Sequence, residues 1–431
     1  MSPKSRGRKR KPGSDRGRRT GGSPSGGPAG LGRAVQQALE PTMALRSPFQ
    51  AEALLSDLLG RVWAGVEFTR TDAVEEFATQ LVADSVKAGA RGTLELLARL
   101  APPTVAAQAS DWARRTIGPL PPWTAQLDAV ELVDAIASHD IFGDQTNYVM
   151  LFGYRDAGRV IGRHIVIAMV DHNLHLLKDA FILEGVGLEQ LQELYAEEPD
   201  LWVNSEPELA WMAGDITRAM DITDMTLDVV DMLGEQTAET WYLLRDRVRR
   251  CLPQPTPAPD PYPADERDKD RKWFMRAKVT KDFLATEIDG QLPDPTTVDY
   301  LAQLFIDYAC DYGRGWPEEW SPTAVELFLV DWAPRKVVWE PDTIPWVVPT
   351  LKVFVGWAQK RRAIAVRGRR ETQDAIDRFA GDFVYGVLGG AEPSLGRSFV
   401  EGMLAAGVDL SDKAGMDAYV AEYNRRITEE D

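Results

Sequence analysis

The stretch Arg163–Asp171, which reads RHIVIAMVD, decides the fold of this chain. Apolar side chains occupy both faces of the stretch if it is extended, namely Ile165, Ile167 and Met169 on one face and Val166, Ala168 and Val170 on the other. A strand that is apolar on both faces is typical of the middle of a sheet with cover on both sides. We therefore predict a central, doubly covered strand here.

Short runs rich in Val, Ile, Phe and Tyr surround this strand, at residues 130–136, 148–155 and 176–183. Asp156–Arg159 (DAGR) between two of them has the composition of a tight hairpin turn. These patterns predict a small antiparallel meander of three or four strands. Helical periodicity dominates the rest of the chain. The predicted fold class is therefore α+β, with helices and a small antiparallel sheet in the N-terminal domain and an all-α C-terminal domain.

Composition divides the 431 residues into four parts. Single cores stop growing near ~250–300 residues, so a chain of this length predicts two domains. Prolines at every second position from Pro253 to Pro263 require extended backbone and indicate a semi-rigid linker. The predicted parts are a disordered basic tail at 1–33, a mixed α+β domain at 34–251, a proline-rich linker at 252–270 and an all-α domain at 271–431. Within the mixed domain, helices are expected at 47–115 and 188–250, on either side of strands at 130–183.

Several classes of protein are excluded by composition. The chain has no run of ~18 apolar residues, which a membrane span requires, and no apolar segment follows its basic N-terminus. Its two cysteines, Cys251 and Cys310, are far apart, which excludes a disulfide scaffold. We therefore expect a cytoplasmic protein without a membrane partner.

The charge of the chain is uneven. Residues 1–33 contain ten Lys or Arg and one Asp, a charge of +9. Because the net charge of the whole chain is −17, the remaining residues together carry −26. Such a tail can neutralise nucleic-acid phosphates; it can also lie against an acidic surface, or be a solvated leader with no specific role. The acidic body itself opposes a DNA-binding globular face. The candidate nucleic-acid contacts are Arg8, Lys9, Arg10, Lys11, Arg18 and Arg19.

All four histidines of the chain fall within residues 139–175, together with several aspartates. Neutral imidazoles and carboxylates can bind zinc, manganese or iron. If these His and Asp side chains converge at one edge of the sheet, they form a metal site. The alternative is that Asp171, His172 and Asn173 only form a turn. The candidate metal ligands are His139, Asp144, Asp171, His172 and Asp179, with His175 as a possible addition. Beyond that metal, no cofactor is indicated.

Several segments of the sequence resemble those of a family of two-domain proteins from high-GC Gram-positive bacteria, and no activity is assigned to that family. They are Gly143–Gln145, Val170–Leu174, Lys178–Phe181, Thr223–Thr226 and Asp331–Val337, and the resemblance spans about residues 47–425. It implies a bacterial, cytoplasmic origin. Relatives of this kind usually have a glycine-rich turn where His175 stands, which favours the turn interpretation over a metal site that needs His175.

The sequence leads to three functional hypotheses. The first is a non-enzymatic binding or regulatory protein, whose acidic body contacts a protein partner and whose basic tail contacts nucleic acid. The alternative is a metal-dependent hydrolase built on the candidate ligands, in which the bound ion activates water. The third is a structural homo-oligomer that associates through exposed Trp or Phe side chains. No nucleophile elbow, phosphate loop or dinucleotide fingerprint is present.

Overall fold

A computed structural model of the chain describes residues 47–66, 69–196, 200–226, 230, 233–234, 236–255, 266–286, 292–390, 392–409 and 412–430. The predicted basic tail and residues 256–265 of the predicted linker lie outside the described residues. The α+β prediction is confirmed: one antiparallel sheet lies in the N-terminal half, and the C-terminal half is helical. None of the described helices is long and apolar enough to cross a membrane.

Among the described residues, four α-helices precede the sheet. Pro48 and Pro103 each occupy a first helical turn, where the missing N–H of proline costs nothing. Gly89 ends the second helix with φ of +66°, a conformation that glycine adopts without strain. Ser47 precedes the first of these helices and makes no side-chain cap hydrogen bond. The helices are α1 (Pro48–Ala64), α2 (Arg70–Ala88), α3 (Arg91–Leu100) and α4 (Pro103–Arg115).

The sheet is an antiparallel meander with the strand order β4-β3-β2-β1-β5. The four predicted strands are present, each longer than its apolar run. The predicted hairpin turn is formed by Ala157 and Gly158, both with positive φ. A fifth, four-residue strand that the sequence analysis missed pairs with the end of β1. The strands are β1 (Val130–Asp140), β2 (Gln145–Asp156), β3 (Arg159–Asp171), β4 (Leu176–Glu184) and β5 (Trp202–Ser205).

Both faces of β3 are covered, as predicted. The described part of the N-terminal half contains three further α-helices: α5 (Leu188–Ala196), α6 (Leu209–Met225) and α7 (Thr237–Cys251). One face of β3 belongs to the main core, which includes residues of α1, α6 and α7. The other face packs with Leu188 and Leu191 of α5. Burial on both sides is the reason that β3 is apolar at every position of its centre.

The C-terminal half has its own hydrophobic core, with members from Val279 to Phe383. Its first helix begins at Glu266, inside the range predicted as linker, because the charged run after the prolines is helical. A π-helical segment at Leu327–Trp332 separates the short helices Pro322–Glu326 and Ala333–Lys336. The division into domains itself stays a prediction. The helices are α8 (Glu266–Leu284), α9 (Pro295–Asp311), α10 (Pro322–Glu326), α11 (Ala333–Lys336), α12 (Ile344–Arg361), α13 (Val366–Tyr385), α14 (Leu395–Ala405) and α15 (Lys413–Glu430).

The turn between β1 and β2 contacts the C-terminal half. Arg314 donates a hydrogen bond of 2.7 Å to the carbonyl oxygen of Phe142. At the start of α13, a Cβ on Gly368 would lie 2.4 Å from Ile141 Cδ1, so a larger residue there would require the Ile141 side chain to shift. The contact places Arg314 beside the end of the sheet that contains His139, His172 and His175.

Candidate functional site

A cavity of about 340 Å³ lies at the end of the sheet where β1, β2 and β3 meet α6. The sheet contributes one face of its strands, α6 contributes one side, and Arg314 comes from the C-terminal half. Most of the lining side chains are polar or charged. The lining residues are His139, Gly143, Thr146, Tyr148, Val170, His172, His175, Trp211, Asp215, Arg218, Ala219 and Arg314.

Hydrogen bonds connect the side chains on the sheet side of this cavity. The Thr146 hydroxyl lies 3.0 Å from His139 Nδ1 and 2.8 Å from His172 Nε2. His139 Nε2 lies 3.2 Å from the hydroxyl of Ser205 on β5. A hydroxyl has one proton and two lone pairs, so Thr146 donates to at most one of the two rings and accepts from the other or from both. The two rings are thereby fixed in orientation, and their tautomers are linked.

Asp215 is the acidic group of the cavity and is buried on α6. Its Oδ2 accepts a hydrogen bond of 2.7 Å from the hydroxyl of Tyr148 and lies 3.9 Å from His172 Nε2. Burial and the negative charge of Asp215 raise the pKa of Tyr148, so this hydroxyl stays protonated. Tyr148 therefore acts at neutral pH as a hydrogen-bond donor to the carboxylate.

The surroundings of the three cavity histidines favour the neutral form of each ring. Burial is the main cause that lowers the pKa of His139, His172 and His175 below the usual value. For His172 and His175 the nearby charges of Arg314 and Arg218 respectively lower the pKa further, and Asp215 opposes the shift. Each ring can therefore donate one hydrogen bond and accept another.

Of the five candidate metal ligands, only His139 and His172 meet at the cavity. Asp171 accepts hydrogen bonds from the backbone N–H groups of Asn173 and Leu174, at 2.8 and 3.0 Å. This is the geometry of the turn interpretation, and His175 follows in the left-handed region with φ of +55°. Turn formation therefore accounts for Asp171 without a metal.

The other two carboxylates point to different neighbours. Asp144 is buried against the C-terminal half; burial and Asp140 raise its pKa, and Ser321 and Arg314 are among the groups that oppose the shift. Asp179 on β4 accepts a hydrogen bond of 2.9 Å from the hydroxyl of Thr237, at the start of α7. Neither carboxylate lines the cavity.

No group of three or more His, Cys, Asp or Glu side chains in the described part of the chain is arranged to hold a metal ion. The fourth histidine, His164, belongs to the core, where its ring stacks on Phe49 with centroids 4.2 Å apart. Of the four histidines within residues 139–175, three therefore line the cavity and one belongs to the core.

Sequence reasoning missed the residues that complete the cavity, namely Thr146, Tyr148, Trp211, Asp215, Arg218 and Arg314. Tyr148 was counted as an apolar strand residue. For Asp215 a signal existed, because it is the one acidic residue in the otherwise apolar run Trp211–Ile216. Arg314 gave no signal, because its position beside β1 depends on the contact between the two halves.

Comparison of the chain with protein-family models, with curated proteins and with solved structures gave no match.

Proposed function

We propose that this protein is a small-molecule binding protein and that its ligand occupies the cavity at the end of the sheet. The observation that carries the proposal is the cavity of about 340 Å³ with polar and charged side chains from several separate elements. Ligand sites in proteins have volumes of ~300–1,000 Å³ and a few convergent polar groups. The sequence favoured a different kind of binding, in which the acidic body contacts a protein partner and the basic tail contacts nucleic acid.

The arrangement of hydrogen bonds supports a preformed site. Thr146 joins two imidazole rings, and Tyr148 joins the sheet to Asp215 on α6. Side chains fixed in this way lose little conformational entropy when a ligand binds, so more of the interaction energy appears as affinity. The exposed ring of Trp211 stands at the same cavity and offers an apolar surface to a ligand.

The alternative hypothesis, a metal-dependent hydrolase, receives less support from this geometry. It needs carboxylates and imidazoles around one ion, and Asp144 and Asp179 lie among other partners. The proposal includes a cytoplasmic location for the protein. Cys251 and Cys310 do not form a disulfide bond, which suits a reducing compartment.

A cavity-filling variant tests the proposal. Ala219 on α6 lines the cavity and is 2% exposed, so Ala219→Leu places three additional carbon atoms at its wall. The wild-type protein and the variant are screened against a diverse set of small polar metabolites, with the thermal unfolding midpoint as readout. We expect some compounds to stabilise the wild-type protein in a concentration-dependent manner and the variant far less, because a ligand that binds the folded state raises its stability.

Ala210→Leu is the matched control, since it makes the same change on the same helix outside the cavity. Circular dichroism establishes that all three proteins are folded before the screen. If the stabilising compounds act equally on both variants, or if none stabilises the wild-type protein, the proposed function is wrong.

A further inference from the structure

We infer that the ligand of this cavity carries an oxyanion group, a carboxylate or a phosphate, and that Arg218 and Arg314 bind that group together. This inference rests on the proposed function and names the chemical class of the ligand. Arginine is the side chain best suited to bind carboxylate and phosphate, because its planar fork offers paired N–H donors.

The charges of the cavity lining favour an anion. Two arginines and one aspartate are the charged side chains of the lining, and burial favours the neutral form of its three histidines. Asp215 also accepts a hydrogen bond from the hydroxyl of Tyr148, so part of its hydrogen-bonding capacity is already used within the wall. The chain outside residues 1–33 is strongly acidic, and two arginines at one cavity stand out against that composition. An anion that enters gains attraction from two guanidinium groups in a partly desolvated space.

The effect of the two arginines on their neighbours supports the same conclusion. Arg314 lowers the pKa of His172, and Arg218 lowers the pKa of His175, so each guanidinium group acts on a ring that lines the cavity. The neutral rings can still donate hydrogen bonds to an anion. Asp171, Asp215 and His139 are the other titratable groups that act on His172.

Arg314 is held at the cavity by contacts on its far side. One guanidinium nitrogen donates to the carbonyl oxygen of Phe142, and Glu319 lies 3.8 Å from the same nitrogen. Gly143 adds to the fit, because a Cβ there would lie 2.5 Å from this nitrogen. The C-terminal half thus supplies one of the two arginines in a fixed position, and both halves of the chain are needed for the complete oxyanion site.

The test uses the full-length protein and two simple probes, inorganic phosphate and malonate, at constant ionic strength with chloride as the reference anion. Apparent dissociation constants come from the dependence of the unfolding midpoint on probe concentration. We expect saturable stabilisation by at least one probe. Arg314→Gln and Arg218→Gln should each weaken its binding about ten- to hundredfold, since a hydrogen bond to a charged group contributes about one to two factors of ten.

Arg335→Gln is the matched control, because Arg335 is a surface arginine paired with Asp331 and does not line the cavity. It should leave the binding of the probe unchanged. Arg218→Gln keeps the test valid if loss of Arg314 disturbs the contact between the halves. Preference for phosphate or for malonate identifies the oxyanion of the natural ligand.

Two results would overturn the inference. In the first, neither probe stabilises the protein beyond chloride, while uncharged compounds from the metabolite screen bind in the cavity; the proposed function then stands and the oxyanion is wrong. In the second, a probe binds but neither arginine variant weakens it. If no compound of either kind binds, the proposed function fails as well.

Discussion

At the scale of single residues, Arg247 is a charged side chain that the fold buries completely. Its guanidinium group has no solvent exposure and pairs with Glu52 at 2.5 Å and with Asp246 at 2.9 Å. Tyr154 accepts a further hydrogen bond from it at 2.7 Å. Removal of one partner from a buried ion pair leaves charge without compensation, at a cost of ~3–5 kcal/mol.

Glu52→Gln is therefore expected to reduce the free energy of unfolding by about 3 kcal/mol or more in chemical denaturation. Glu131→Gln is the control, because Glu131 pairs with Arg155 in an exposed position on the sheet. The control should change the same quantity by less than about 1 kcal/mol. Equal, small effects of the two substitutions would show that the buried cluster is not held together by charge.

His164 makes the stability depend on pH. Burial and the charge of Arg247 lower the pKa of its ring to about 3, against ~6.5 in an unfolded chain. Between these values the unfolded state binds a proton that the folded state excludes. The contribution of His164 is therefore complete above pH ~6.5 and is lost as the pH falls toward 3, by ~1.4 kcal/mol per pH unit.

His164→Phe keeps an aromatic ring against Phe49 and removes the titration. Between pH 7 and pH 5 the wild-type protein should lose about 2 kcal/mol more stability than this variant, as measured by denaturation at each pH. The three cavity histidines are present in both proteins, so their contribution cancels in the difference. Parallel stability curves would contradict the assigned shift.

At the scale of elements, the backbones of helices α1 and α7 approach each other closely at Gly60. A Cβ on Gly60 would lie 1.7 Å from the carbonyl oxygen of Ala238, and a backbone atom cannot move aside as a flexible side chain can. Gly60→Ala should therefore force the helices apart and cost about 3 kcal/mol in unfolding free energy. Gly381→Ala, in the interior of α13 with no atom within 4 Å of the new Cβ, should instead stabilise by ~0.5–1 kcal/mol.

Thermal denaturation of the two glycine variants provides the measurement. The chemical change is the same in both, so opposite signs would establish that helix contact decides the outcome. Destabilisation by both substitutions to a similar extent would contradict the close approach of α1 and α7.

The elements also show which parts of the fold the sequence could predict. β3 was predictable because burial on both faces requires apolar residues at successive positions, and the helices at 47–115 because their apolar residues recur with helical periodicity. β5 was not, because its four residues Trp202–Ser205 form a strand only where the edge of β1 offers hydrogen bonds. Of the cavity, the sequence indicated the histidines, which are close along the chain. Asp215 and Arg314 reach them through tertiary packing, which no local pattern records.

At the scale of the whole molecule, the basic tail remains a separate prediction. Its +9 charge predicts binding to nucleic acid through phosphate neutralisation, with affinity that falls steeply as salt rises. Filter binding or fluorescence anisotropy with a random-sequence duplex should show at least a tenfold loss between 50 and 200 mM salt, and no binding after deletion of residues 1–33. Salt-insensitive binding, or binding that survives the deletion, would contradict a role for the tail.

The most direct test of the central claim uses the four histidines as reporters. His139, His172 and His175 line the cavity, and His164 is buried in the core as an internal control. Ring signals from histidine-labelled protein, assigned with single His→Gln variants, are followed by NMR during titration with the best stabilising compound. We predict progressive shifts of the three cavity rings with one common dissociation constant and an unchanged His164 signal. Constant signals from all three cavity rings at saturating compound would contradict the account.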